Sequence, residues 1–413
     1  MKTGERIVLF FSIIFPFYIF LVFSIIQPLL GAINLKSINE KNLLSAISYD
    51  GDNATYHYLL ARDYHNGGQR RDLQLAVGSY KKSLRLNPLQ GGCWLDLAKA
   101  YQTAGMTKEA GYAIKRAINL LPQNPQVMWE AGVFYLVNAE IEEAAESFKR
   151  LILLEPERQE VVYDLLWRIP LDSEFVFKNL IPQSYSYHKH YLIYLMSTDR
   201  IDEAKDLWKS MKKFEVEEQV LLKYVDFLIS RRHYEDAQTL WKEYVAKRFG
   251  AMKDGSLLWN GSFEHDVING GFDWKVNEVA GVDAYLDRDI HMHGSRSLGL
   301  VFDGTQNPDI TIASQVVRVN PGARYVLKAN LKTDSLTTTN GLFLAAEGHD
   351  CPGFSRESDV LAGTNFWKEI SLELEIPADC HAISVMVRRE RSQKLDNKIS
   401  GNAWIDEISL TQK

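Results

Sequence analysis

The chain has 413 residues, 46% of them hydrophobic and 24% charged, which excludes wholesale disorder and predicts two or three domains. The net charge of −6 is uneven: 32 Lys+Arg face 31 Asp+Glu from Met1 to Gly255, and 15 face 22 from Ser256 to Lys413. Neither stretch has the basic footprint of a nucleic-acid binder, because phosphate affinity comes from clustered Lys and Arg. Cys93, Cys351 and Cys380 are too few for a disulfide scaffold and lack the paired spacing of a zinc site.

The first element is apolar. Ile7 to Ile33 is 27 residues without a charge, where about 20 cross a bilayer. A secretory signal has a core of only about 7–15 apolar residues before a small-residue cleavage site, and Leu29-Leu30-Gly31-Ala32 matches that site poorly. The reading is an uncleaved anchor over residues 1–33, kinked at Pro16, with a linker helix over 34–53. Lys2 and Arg6, against Glu5, hold the N-terminus in the cytoplasm; Lys36 and Lys41 on the far side weaken that bias.

Residues 54–250 show an internal repeat. Gly91–Asn124 and Pro125–Arg158 are each 34 residues long. Trp94, Leu97, Ala98, Tyr101, Ala110, Ile114, Ala117 and Pro122 align with Met128, Ala131, Gly132, Tyr135, Ala144, Phe148, Leu151 and Pro156. Period and pattern resemble the tetratricopeptide repeat (TPR) family. Small residues at the helix crossing allow close approach, large ones fill the space between hairpins, and proline ends the second helix. Ala54–Pro88 is a looser copy with an insertion near Gly67-Gly68; Tyr185–Glu217 and Glu218–Gly250 are two more. Pro170 and Pro182 break the pattern in Gln159–Ser184. The resemblance implies a scaffold that holds a protein partner in its groove. His188 and His190, two apart on a helix, do not share a face and are not read as metal ligands.

After Gly250 the helical period stops. Short alternating segments predict a β-sandwich over 256–413: Leu298, Leu300, Phe302; Tyr325, Leu327, Ala329, Leu331; Ile370, Leu372, Leu374, Ile376; Ile383, Val385, Val387. Asn320-Pro321-Gly322 is a turn. Five stretches, in order, are Leu258–Glu264, Gly271–Trp274, His293–Leu298, Val319–Tyr325 and Ala403–Leu410. That succession resembles the galactose-binding-like jelly rolls used as carbohydrate-binding modules. The resemblance implies polysaccharide binding, by aromatic faces against sugar C–H and polar groups against hydroxyls. Trp274, Tyr285, Phe343, Glu347 and Arg388 are the candidates. It also implies a structural calcium held by Glu264 and Asp406, with carbonyls near His293–Ser295. A disulfide between Cys351 and Cys380 stays open, because sequence does not give their separation.

No nucleophile elbow, zincin helix, P-loop or dinucleotide fingerprint is present, and the His291-x-His293 pair has no third ligand at recognisable spacing. The chain therefore reads as no enzyme. The expectation is a single-pass protein of the bacterial inner membrane, its bulk in the periplasm, serving surface-polysaccharide (exopolysaccharide or O-antigen) assembly or export. The alternative is an accessory subunit of a membrane-bound transferase whose sandwich binds protein.

Overall fold

The structure is a computed structural model that describes residues 10–35, 37–67, 72–169, 171–250, 255–395 and 397–413. Residues 1–9, with the N-terminal charges on which the topology expectation rests, lie outside the described residues, as do Lys36, Gly68 and Pro170. The chain divides into two compact units, Met1–Tyr194 and Leu195–Lys413.

In the first unit, α1 (Phe15–Asn34) is apolar enough to cross a bilayer, and 6% of its most apolar window is buried. Its C-terminal end is anchored: a Cβ on Gly31 would lie 3.3 Å from the Ala46 carbonyl and from the Tyr56 ring. Those residues belong to α2 (Glu40–Tyr49) and α3 (Ala54–Asn66), capped by the side chains of Asn39 and Asn53. Hairpins follow: α4 (Leu73–Leu86) completes the first with α3; α5 (Gly91–Thr103) pairs with α6 (Thr107–Leu120), and α7 (Pro125–Val137) with α8 (Ile141–Leu154). The repeat offsets are packing offsets. Ala98, Ala110, Ile114 and Ala117 are buried, as are Ala131, Ala144, Phe148 and Leu151. At Gly132 the crossing is so close that a Cβ would sit 2.5 Å from the Phe148 ring. The turn within each hairpin needs a left-handed residue; Gly105 supplies it at φ 74° and Ala139, one period later, at φ 60°. Then come α9 (Gln159–Leu166), short helical turns over Ser173–Leu180, and α10 (Tyr185–Ser197).

The second unit opens with α11 (Ile201–Met211), α12 (Glu218–Ser230) and α13 (Tyr234–Phe249). Ten strands follow: β1 (Lys275–Val276), β2 (Val282–Asp287), β3 (Ser297–Asp303), β4 (Ile310–Arg318), β5 (Arg324–Leu336), β6 (Phe343–Gly348), β7 (Ser355–Glu357), β8 (Gly363–Glu375), β9 (Ala382–Arg389) and β10 (Ser400–Gln412). They form two antiparallel sheets, β1-β4-β9-β6-β7 and β2-β3-β10-β5-β8. Leu298, Leu300, Phe302, Leu327, Leu331, Leu374, Ile383, Val385 and Val387 share one core. That is the inward set expected from period-two alternation. Gln315 crosses from β4 to clamp Trp259, accepting from its N–H at 2.9 Å and donating to its carbonyl at 2.8 Å. Cys351 and Cys380 form a disulfide, Cα atoms 5.0 Å apart, joining the loop after β6 to the turn before β9.

The helical hairpin α12–α13 packs against the outer face of the first sheet. Asp226 accepts from the Gly271 N–H and the Lys275 ammonium, each at 3.2 Å. Trp241 lies against Gly271 and Phe272, Arg318 reaches Gln238, and Tyr234 meets His349 edge-on. The sandwich is therefore continuous with the last helices in packing.

Candidate functional site

Two of the expected sugar contacts share an environment with Arg388, and the structure treats them differently from Tyr285. Phe343 and Glu347 on β6 and Arg388 on β9 come together on the outer face of the first sheet. Phe343 is directly opposite Arg388 in register. Arg388 donates to Glu347 at 2.8 Å, and its guanidinium carbon lies 6.0 Å from the Phe343 ring centroid. Phe343 is only 2% exposed, however, and clusters with Ala345 and Met386. It has no face to offer a sugar, because the cross-strand arginine and its own satellite cluster cover it.

Trp274 is a correction. It is fully buried in the sandwich core, packed against Phe263, with its indole N–H on the Asn260 carbonyl at 3.1 Å. A ring with no accessible surface cannot stack on a ligand. Its neighbourhood in Gly271–Trp274 read as loop-rich; burial followed because the loop folds inward across the sandwich edge.

Tyr285, expected from the sequence in a loop-rich stretch, is instead a strand residue. It lies on β2, in the second sheet, on the outer face by alternation with the inward Ala284 and Leu286. Its ring lies across Gly299 of β3, its partner in register, where a Cβ would stand 2.7 Å from the ring. Only glycine lets an aromatic ring lie this close to the strand. The tyrosine hydroxyl donates to Asp287 Oδ2 at 3.1 Å, and the Trp404 indole N–H on β10 donates to the same oxygen at 2.7 Å. Asp287 Oδ1 accepts the N–H groups of Asp289 and Ile290. Burial opposes the charge on Asp287, but these four donors hold its pKa below the ordinary carboxylate value. Burial, and then that charge, raises the pKa of Tyr285, so the phenol stays protonated and keeps donating. Lys332, opposite Trp404 on β5, places its ammonium 5.2 Å from the Trp404 ring centroid. The result is a fixed ring, 38% exposed, beside the outward Asp283 and Lys332. Phe366 on the edge strand β8 is 92% exposed; among the described residues these are the two exposed aromatic rings of the sandwich.

Asp287, Gly299, Lys332 and Trp404 were not singled out in the sequence. The signal was available: Trp404 alternates with the inward Ala403 and Ile405, so a tryptophan was due on an outer face. What alternation does not supply is the cross-strand register that gathers four strands at one carboxylate.

Glu264 and Asp406 do join the two ends of the sandwich, but through protons. Glu264 accepts from the N–H and hydroxyl of Ser295 and the N–H of Arg296. Asp406, fully buried, accepts from the N–H groups of Met292, His293 and Glu407. Burial raises the pKa of Asp406; hydrogen bonding outweighs burial at Glu264 and lowers its pKa. A hard cation needs converging oxygens. Residues 292–296 instead turn N–H and O–H groups onto both carboxylates, so the donor set does not fit the expected calcium. Among the described residues, one His/Cys/Asp/Glu group has metal-holding spacing, Asp350 with Cys351 and Cys380, and both sulfurs there are in the disulfide.

No protein-family profile matches the chain, and no curated protein does. Among solved structures, it is similar to one described as MamA, at 19% identity and TM-score 0.26, covering 29% of this chain and 67% of that one. It is similar to a structure described as "CBM4 structure and function", at 12% identity and TM-score 0.28, covering 38% and 99%. A third is TmCBM61 in complex with beta-1,4-galactotriose, at 16% identity and TM-score 0.28, covering 38% and 99%.

Proposed function

We propose that the chain is a membrane-anchored scaffold whose helical array holds a protein partner and whose sandwich binds a polysaccharide at Tyr285. The observation that carries this is the braced ring: Gly299 below it, Asp287 and Trp404 fixing its edge, one face open. A preorganised aromatic face is what C–H stacking on a pyranose requires. The surplus of acid in Ser256–Lys413, 22 against 15, favours a neutral chain over a polyanionic one. The apolar α1 supports anchoring, and the Cys351–Cys380 disulfide supports an oxidising compartment such as the bacterial periplasm. Surface-polysaccharide assembly or export, of exopolysaccharide or O-antigen, is the process that joins these parts.

The test is a titration of the full chain in detergent against a panel of neutral and acidic polysaccharides, with Tyr285→Ala in parallel. Binding that survives Tyr285→Ala unchanged, or no binding across the panel, sinks the reading. Topology is checked separately: the protein pellets with membranes, and a reporter after Lys413 is active only outside the cytoplasm. A second reading, an accessory subunit of a membrane-bound transferase whose sandwich binds protein, has one observation in its favour. The outer face of the first sheet already takes up protein, in the form of α12–α13.

A further inference from the structure

The hairpins of the first unit treat charge differently on their two sides. Along the first helices the charges are matched: Tyr58 and Arg62 reach Asp96, and Lys99 reaches Glu130. Between the second helices α4 and α6 lies a groove of about 610 Å³ floored by α5. Its floor is aromatic and apolar, with Trp94 and Tyr101; its rim carries Lys81, Arg85, Lys108 and Tyr112. Tyr112 is 62% exposed and meets Trp94 edge-on. Arg116 stacks over Trp94, its Nε buried without a hydrogen-bond partner, and Lys81 stacks over Tyr101. Across α4 and α6 stand Lys81, Lys82, Arg85, Lys108, Lys115 and Arg116 against the single acid Glu109. Among the described residues none of the groove's cations has a carboxylate within ion-pair distance.

The next repeat supplies an internal control. The groove between α6 and α8, shifted by one period, encloses about 330 Å³; its lining includes Ile118, Met128, Tyr135, Glu142, Glu146 and Arg150, and that arginine is ion-paired with Glu146 at 2.9 Å. Ile118 stands where Leu84 does, and Tyr135 where Tyr101 does. Met128 replaces Trp94, Glu142 replaces Lys108 and Glu146 replaces Tyr112. Both hairpins are built from helices of 13 and 14 residues, so the repeat itself does not require unpaired cations or extra rings here. The first groove is specialised, and unmatched charge over an aromatic floor is the specialisation.

We infer that this groove docks an acidic peptide segment of a partner protein, with one bulky apolar side chain resting on the floor beside Leu84, Trp94 and Leu97 and flanking carboxylates meeting Lys81, Arg85 and Lys108. A sugar chain fits less well. Arg116 covers one face of Trp94, and Tyr112 meets it edge-on, so no pair of coplanar rings is offered. The inference rests on the reading that the helical array binds protein, and it names the face and the partner's chemistry.

The test uses the full chain in detergent micelles and a short fluorescein-labelled peptide of Asp and Glu around a central Phe, read by anisotropy. Controls are the same peptide with Asn and Gln in place of the acids, labelled oligogalacturonate, and vesicles of phosphatidylglycerol. The acidic peptide binds, more weakly as salt rises. Lys81→Glu with Lys108→Glu weakens it by about tenfold or more, as reversal of unscreened rim charges should. Glu142→Gln in the neighbouring groove leaves it unchanged. Equal binding of the acidic and amidated peptides, equal binding by the charge-reversed variant, or binding of only the uronate or the vesicles overturns the proposal. The underlying reading is kept distinct by cross-linked co-purification from membranes. A partner retained equally by wild type and charge-reversed protein overturns the groove while protein binding by the array stands; no partner on either, with the peptide unbound, overturns both.

Discussion

Gly299→Ala tests the proposed sugar platform without replacing the aromatic residue. The added Cβ would lie 2.7 Å from Tyr285 Cζ and 3.0 and 3.1 Å from its two Cε atoms. Carbon atoms settle at about 3.5–4.0 Å, so the ring must lift by about 1 Å. Lifting bends the hydroxyl bond to Asp287 and lengthens it from 3.1 Å to about 3.3 Å, the long end of hydrogen-bond range. Weakening that charge-assisted bond costs about 1 kcal/mol. Replacing glycine in a strand returns about 0.5–1 kcal/mol of backbone entropy. The net change in stability is therefore within about 1 kcal/mol, or about 2–4 °C in a domain of this size. Affinity responds more strongly, because a tilted ring no longer meets the pyranose face: a loss of about 1.4 kcal/mol of stacking weakens binding about tenfold. Scanning fluorimetry and polysaccharide titration on the same preparation separate the two effects. A Gly299→Ala protein that binds as tightly as wild type would refute the braced-ring argument. So would one that loses binding only because it melts far below wild type.

Four further outcomes follow from named contacts. Gly132→Ala drives a Cβ into Phe148 and should destabilise by about 1–2 kcal/mol net of helix propensity, whereas Gly78→Ala, with nothing within 4 Å, should stabilise by about 1 kcal/mol; equal melting shifts would contradict this. Burial raises Asp273 to a pKa of about 6, and its Oδ1 has no partner. The folded state thus holds this proton more tightly than the unfolded one, and its contribution to stability is lost as pH rises through about 6. From pH 7 to pH 5 wild type should gain about 1.4 kcal/mol relative to Asp273→Asn, and parallel pH profiles would refute it. Thiol counting on unreduced, unfolded protein should find one free thiol, Cys93, which in the native state resists alkylation because burial pushes it up to about 12; three thiols would remove the disulfide. Asp406→Ala strips three backbone N–H groups of their acceptor and should lower the melting point by several degrees, in calcium and in chelator alike. A calcium-dependent rise in wild type would reverse the conclusion on the donor set.

Several features of the chain are set by local physics. The 27-residue apolar run, the 34-residue period and the period-two alternation each depend on neighbours along the chain, so the apolar first helix, the hairpins and the inward strand faces were all legible before any fold. Phe343, Glu347 and Arg388 were placed outward for the same reason, whereas Tyr285, expected in a loop-rich stretch, lies on β2 because that segment pairs with β3. Contacts between distant residues were another matter. Trp274 belongs to the core because its loop turns inward, and Phe343 is covered because Arg388 stands opposite it across a strand pair 45 positions away in sequence. Glu264 and Asp406 were set beside the carbonyls of His293–Ser295, and they meet N–H groups of Met292–Arg296; whether a segment presents carbonyls or N–H groups is a matter of backbone direction that residue identity does not encode. The Cys351–Cys380 bridge and the convergence of Tyr285, Gly299 and Trp404 on Asp287 likewise required the register of strands far apart in the chain. Periodicity tells a side chain which way to face; only the closed sheet decides what it faces.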